Sequence, residues 1–304
     1  MRLEHFNYEA VNIQEIFREL RKARGYTQAD ISDDILSRSL ISKFENGTSM
    51  LSADKLFHAI ANLNMTPNEF YNILNTYNPT RMEKLYSTLN QIRFSGLQGV
   101  KKAEGFIIEG TEDKFQILSN IMIKSVLQDI TGNQYVSKEE EYIVEKYLGG
   151  IEDWTEFEVK LLYYVSPILD DDNRRWFGEI LLEKTKKIYD GSYKRLCMMA
   201  LMSLYDSVLD NQNLSDAQFF RNQISKFNFY GDLVAIINFQ VLNDFHDYIS
   251  ERTKKNLIKA EKYLDKVEEL GVEEIVKYSR NRLRDLKSPP PDVSQIKHGQ
   301  SPLY

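Results

Sequence analysis

Four long apolar helical segments, starting near Asp113, Asp153, Tyr193 and Asp232, recur at intervals of about 40 residues, a period in the range of helical solenoid repeats. Each is followed by a more polar helical segment, starting near Lys138, Asp172, Ser215 and Arg252. A single pair of this kind cannot bury its own apolar face. The pairs must therefore stack, and such stacks form a superhelix with a concave surface on which an extended peptide can lie. The period predicts an all-α body over residues 112–287, with no credible alternating strand. Residues 76–111 would supply a linker and a first helix pair, and Gly271 to Lys287 the terminal cap. The proline-rich tail 288–304, SPPPDVSQIKHGQSPLY, is expected to be disordered.

A different pattern occupies residues 1–75, ahead of the turn-rich break NTYNPT. Between Val11 and Arg24 the apolar residues fall at helical spacing, and Arg18, Arg21, Lys22 and Arg24 gather toward the end. Those cations suit either a helix C-terminus or contact with phosphate, and the sequence leaves both open. Gly25 to Gly47, GYTQADISDDILSRSLISKFENG, then reads as two short helices joined by a tight polar turn. Thr27 is the expected cap of the first, with Gln28 placed to meet a phosphate, and Ser37 is the expected cap of the second. Leu36, Ile41 and Phe44 would face inward while Arg38, Ser39, Ser42 and Lys43 project outward. Short polar side chains with one or two long cations are what a helix in the major groove needs, and Arg38 is the candidate for bidentate guanine readout. Leu40 is left open between a thymine methyl contact and the core. Gly47 ends the helix, and two more helices, Ser52 to Leu63 and Pro67 to Leu74, complete a five-helix domain.

Other function classes find little support. The one cysteine, Cys197, lies in the apolar run LCMMALMSLY and reads as a packing thiol, and the four scattered histidines have no metal-ligand spacing, so no metal or cofactor is expected. The sequence has no phosphate-cradling glycine loop and no nucleophile paired with a base, so no catalytic residue is assigned; KEEE at 138–141 and DDD at 170–172 read as a helix start and a capping turn. A net charge of −6 argues against nonspecific coating of nucleic acid but allows a local basic patch. No apolar run approaches the roughly 20 residues needed to span a bilayer. The N-terminus lacks signal-peptide order, and the expectation is a soluble, cytoplasmic protein.

The residues Thr27-Gln28, Ser37-Arg38-Ser39, Ile41-Ser42-Lys43 and Glu45-Asn46-Gly47, followed by Ser52 and the run Thr66 to Phe70, resemble the Xre/Cro-type helix-turn-helix family. By position, Gln28 resembles that family's phosphate-contacting glutamine, Arg38, Ser39, Ser42 and Lys43 its base and backbone contacts, and Glu45 and Asn46 a supporting part. This module, followed by degenerate right-handed tetratricopeptide-like repeats, is similar to the Rgg/GadR/MutR family of Gram-positive regulators. The turn DDILS and the segment IEDWTEFEVKLL at 151–162 carry the closer likeness. The resemblance implies a homodimer that binds double-stranded DNA at an inverted repeat and answers to a short signalling peptide in the repeat domain, as in quorum sensing. Where such proteins often carry an asparagine after the tryptophan, this chain has Tyr164.

Residues that interrupt apolar helix faces are Tyr164, Tyr205, Asn238 and Asn243, which can hydrogen-bond a peptide backbone or can instead be core aromatics and repeat contacts. Arg174, Arg175 and Trp176 form a cation-aromatic cluster that suits either a peptide carboxylate or a solvated helix start. A second reading of the whole chain is an adaptor whose repeats bind a partner protein, with the N-terminal module used for dimerisation or sequestration.

Overall fold

A computed structural model of the chain describes residues 12–95, 99–186, 191–229 and 231–287, which are helical with no strand among them. The expected disorder of 288–304 concerns residues outside this set. Two compact units divide between Tyr86 and Ser87. In the first, α1 (Ile13–Ala23), α2 (Arg38–Glu45), α3 (Ala53–Asn62) and α4 (Pro67–Leu74) surround one core. Phe17, Leu36, Ile41 and Phe44 are fully enclosed there, and Phe17 meets the edges of Phe44 and Phe70 at centroid distances of 5.5 and 6.4 Å.

The second of the five expected helical elements is shortened to a single turn over 28–31. Thr27 caps it as predicted: its Oγ1 accepts the Asp30 N–H at 3.2 Å and its own N–H donates to the Asp30 carboxylate at 2.7 Å. Beyond that turn, Ser32 and Asp33 offer the backbone local partners that compete with continued helix. The Ser32 hydroxyl donates to the Ala29 carbonyl, and Asp33 Oδ1 accepts the N–H groups of Ile35 and Leu36 at 2.9 and 2.8 Å. Ser37 caps α2 and Gly47, at φ 73°, follows it in the left-handed region, both as the sequence implies.

A buried ion pair fastens α1 to α2. Arg21 Nε donates to Glu45 Oε1 at 2.6 Å and its Nη2 to Oε2 at 2.7 Å, while Nη1 reaches the Tyr26 carbonyl at 2.6 Å. Gln28 Nε2 completes the shell of Glu45 at 2.8 Å. Burial pushes the Glu45 carboxyl up, but the hydrogen bonds from Arg21 and Gln28 and the charges of Arg21 and Arg18 more than offset this and hold it below its ordinary value. Of the basic group that the sequence leaves open between a structural role and phosphate contact, Arg21 is thus structural.

The helix α5 (Arg81–Ser95) runs across the division between the units. In the second unit α6 (Val100–Glu104) precedes four pairs: α7 (Lys114–Thr131) with α8 (Lys138–Gly150), α9 (Glu156–Val165) with α10 (Asp171–Thr185), α11 (Gly191–Asp210) with α12 (Leu214–Ile224), and α13 (Leu233–Ser250) with α14 (Lys254–Glu269). The last helix is α15 (Glu273–Leu286). The starts fall within a few residues of those the period predicts. α9 is the shortest of the leading helices because Pro167 follows it in a 3-10 turn, Ser166–Ile168, and cannot donate to a continuing ladder. α11 is the hub, packed against α9, α10, α12 and α13, and it encloses Cys197, whose thiol burial pushes up to about 12.

Two close constraints give measurable consequences. A Cβ on Gly178 of α10 would lie 2.5 Å from a ring carbon of Phe220 on α12, whereas one on Gly150 meets nothing within 4 Å. Gly178→Ala should therefore lower stability by about 1–3 kcal/mol in thermal or denaturant melts, with Gly150→Ala near neutral. The Glu45 contribution has a defined pH dependence: with the folded-state pKa depressed, it is fully present above the unfolded carboxyl value of about 4.3 and is lost as pH falls through the folded value. Replacing Glu45 by Gln leaves Arg21 buried without its counter-charge, so it should destabilise the first unit by about 3 kcal/mol at neutral pH. The same substitution should flatten the loss of stability with acid, read by far-ultraviolet circular dichroism across a pH series.

Candidate functional site

The exposed surface of α2 is built from Arg38, Ser39 and Lys43, with Ser42 half-buried among them. Opposite them Ile41, Phe44 and Glu45 are buried, so the rotation of α2 about its axis is fixed by one apolar anchor and one ionic anchor. The side chains of Arg38 and Lys43 engage no ion pair or hydrogen bond among the described residues. Arg18 on α1 is exposed as well, and its charge reaches Glu45. Gln28 is half-buried with its amide nitrogen committed to Glu45, which sets where the rest of that side chain stands relative to α2. Leu40, left open by the sequence, packs in part against the core.

The turn leading into α2 is tied down by a residue the sequence reading did not single out. Besides the two backbone N–H groups, Asp33 accepts the Asn62 amide at 2.9 Å and the His58 ring Nε2–H at 2.6 Å through Oδ2. Those side-chain hydrogen bonds, Asn62 first and then His58, with the backbone N–H groups, hold the Asp33 carboxyl well below the usual carboxylate range. Asn62 also donates to the Ile31 carbonyl at 3.0 Å, so α3 grips the start of the turn at two points. Local sequence gave a signal for Asp33 as a turn former, but its partners on α3 lie 25 and 29 residues away.

In the repeat unit a cavity of ≈ 190 Å³ is lined by the leading helices α9, α11 and α13 together with α5 and α15. Its apolar wall includes Met199, Met202, Val241 and Leu242, and its polar end holds Arg93, Asp206, Tyr278 and Arg282. Tyr278 Oη donates to Asp206 at 3.1 Å, while Arg282 bonds Asp210 and lies 3.4 Å from Asp206 and 3.7 Å from Asp129. Arg93 stands over the rings of Tyr163 and Tyr164, 4.9 and 5.6 Å from their centroids, with Asp129 at 3.9 Å. Burial, joined by the like charges of Asp206 and Asp129, raises the Asp210 carboxyl against the pull of Arg282. A larger opening of ≈ 1170 Å³ lies between α10, α11 and α12, with Lys186, Gly191 and Phe229 among its lining residues.

Of the four ligand-contact candidates, Asn238 lines the cavity. Tyr205 does not: it is fully enclosed, and its hydroxyl is used internally by His246 Nδ1 at 2.7 Å and, more loosely, by Asn243 Oδ1 at 3.4 Å. The structure therefore turns Tyr205 into the core and gives Asn243 an internal partner. Tyr164 is buried behind Tyr163, with its hydroxyl donated to Asn90 at 2.8 Å. Arg174 is buried and consumed by the Ser166 and Pro167 carbonyls and Asp171, and Arg175 is engaged by Glu179 and Asp216, so of the two readings left open neither a peptide carboxylate nor, for Arg174, a solvated helix start describes the pair. Trp176, 47% exposed, lies against Gly149. The polar cavity residues Arg93, Asp206, Tyr278 and Arg282 were not identified from the sequence.

Among the described residues no helix is long and apolar enough to cross a membrane, and no group of side chains is arranged to hold a metal ion. Residues 15–91 match a helix-turn-helix domain family. Solved structures with the same architecture include the SHP pheromone receptor Rgg2 of Streptococcus dysgalactiae, at 20% identity and a TM-score of 0.67 over 90% of this chain and 98% of that one. A protein of Listeria monocytogenes EGD-e described as a transcriptional regulator matches at 18% identity and a TM-score of 0.70, over 91% and 97% of the two chains. The PrgX/iCF10 complex matches at 16% and 0.59, over 92% of each. At such identities the likeness establishes the fold. The family follows from the second match, to the C-terminal domain of the HTH-type transcriptional regulator Rgg, which extends over residues 107–281; the chain belongs to the Rgg family of transcriptional regulators.

Proposed function

We propose that this regulator is a homodimer that binds an inverted-repeat operator in double-stranded DNA through α2 and is controlled by a short signalling peptide held by the repeat unit. The observation that carries the DNA reading is the outer face of α2, where Arg38 and Lys43 stand unpaired on a helix pinned from behind by Phe44 and by the Arg21–Glu45 pair. Cations left without internal partners on a rigid helix lose little side-chain bonding when they move onto DNA. In this reading Arg38 reads a guanine edge, Ser39, Ser42 and Lys43 fix the register, and Gln28 and Arg18 meet the phosphates flanking the groove. Glu45 gives Gln28 its orientation, so that phosphate contact is made by a pre-positioned amide.

The cavity supports the peptide reading: it has an apolar wall and a polar end, and Asn238 stands on its α13 side. Rgg2, described as an SHP pheromone receptor, and a bacterial peptide pheromone/receptor complex share this fold, which makes a peptide the ligand class to test first. The carboxylate-rich remainder of the chain, with its net charge of −6, favours binding confined to the basic face of a dimer over binding along the duplex at large.

The test is a binding assay on the region upstream of the chain's own gene and on scrambled DNA at matched salt. Arg38→Ala should lose about 1–3 kcal/mol of discrimination at one base pair per half-site, while Lys43→Ala should weaken all sequences alike and reduce the salt dependence. An Arg38→Ala protein with the wild-type ratio of specific to scrambled binding would overturn the assignment. Failure of the wild-type protein to bind either DNA at low salt, together with capture of a stable protein partner, would favour the adaptor reading.

A further inference from the structure

The cluster at the polar end of the cavity is unevenly satisfied. Asp206 receives the Tyr278 hydroxyl, and Asp210 is held by Arg282. Arg93 has no comparable partner: its side chain is 9% exposed, it makes no hydrogen bond among the described residues, and its nearest carboxylate oxygen is 3.9 Å away. The two buried side-chain polar atoms in this cluster that lack partners are both donors, Nε of Arg93 and Nε of Arg282. A guanidinium buried against two tyrosine rings and left short of acceptors is costly unless an acceptor arrives. The unmet demand at this end of the cavity is therefore for an anion or a strong acceptor, although the wider cluster contains three carboxylates.

The remainder of the cavity defines the body attached to that anion. The wall of Met199, Met202, Val241 and Leu242 is apolar, and a volume of ≈ 190 Å³ is on the scale of one or two side chains. Asn238 supplies an amide at its edge, suited to a peptide bond. An apolar residue whose carboxylate is free meets all three requirements, whereas a peptide ending in an amide offers the guanidinium a single neutral carbonyl oxygen in place of a charged pair of acceptors.

We propose that Arg93 anchors the free C-terminal carboxylate of the ligand peptide, with the last side chain of that peptide apolar and seated against α11 and α13. This deepens the peptide reading above and rests on it. Asp129, at 3.9 Å, is the internal group that the ligand carboxylate supplants as the closest acceptor of Arg93. Tyr163 and Tyr164 act as positioning residues, since their rings fix the plane of the guanidinium.

The experiment presents the full chain with two random synthetic libraries of peptides about seven residues long, drawn from uncharged residues. One library is made as free acids and the other as C-terminal amides, and retained peptides are identified by mass spectrometry. The wild-type protein should retain free acids at least about tenfold over the corresponding amides, and the retained set should be rich in apolar last residues. Arg93→Met should abolish the acid-over-amide preference, and Arg93→Lys, which keeps the charge without the planar fork, should keep part of it. Equal retention of acids and amides by the wild-type protein would overturn the anchor while leaving the peptide reading intact. Retention of neither library would overturn both. The wild-type comparison stands even if Arg93→Met fails to fold, which circular dichroism would report.

Discussion

The longest helix of the repeat unit, α11, is apolar on most of its circumference, and such a helix is stable only where neighbours cover every side. It lies against α9, α10, α12 and α13, so two successive pairs and parts of their flanking pairs are organised by one buried element. Close approach follows from that requirement: Phe220 reaches across to Gly178 where no side chain stands in its way. The polar consequence is equally direct. Leading helices that share an enclosed wall bring Asp206 and Asp210 of α11 next to Asp129 of α7 and Arg282 of α15, where the enclosed charges of Asp129 and Arg282 are paired within the cluster and Asp210 closes it at its partly exposed end.

Buried arginines are treated in two ways in this molecule, and the difference separates scaffold from site. Arg21 has each of its nitrogens directed to an acceptor between 2.6 and 2.7 Å and sits in a region where every partner is saturated. Such a residue holds two helices in register and has nothing left to offer a ligand. Arg93 is as well enclosed but is met chiefly by aromatic faces, with its carboxylate neighbour beyond hydrogen-bond distance. The first arrangement fixes α2 on α1. The second leaves an interaction to be completed from outside.

Much of the architecture was legible because its signals are local. The period of the apolar segments placed the leading helices to within a few residues, Thr27 and Ser37 marked element starts through side-chain hydrogen bonds that act over three residues, and Gly47 marked an end through its left-handed backbone. What was not legible is rotation. On a helix apolar nearly all round, hydrophobic spacing does not say which side faces the core, and neighbouring residues differ by about 100°. Tyr205 and Tyr164, which the sequence leaves open between peptide contact and core, are buried, and it is their neighbours Asp206 and Tyr163 that line the cavity. The charged cluster was hidden for a further reason: Tyr278 and Asp129 are 149 residues apart in the chain, and no local pattern marks an arginine as buried. In the N-terminal unit the exposed side of α2 was read correctly because Leu36, Ile41 and Phe44 leave only one way to turn it, whereas the burial of Arg21 depended on Glu45, 24 residues on.

The enclosure of Cys197 within α11 has a consequence for how this molecule meets its surroundings. A thiol raised to about 12 holds almost no thiolate at neutral pH, and it is the thiolate that reacts with oxidants, alkylating agents and disulfides. The thiol that the sequence supplies is unreactive while α11 stays packed. The same inertness leaves its surface a blank background for labelling: a cysteine introduced on the outer face of α2 would be the single reactive thiol of the folded chain and would take a fluorophore or spin label at one known position.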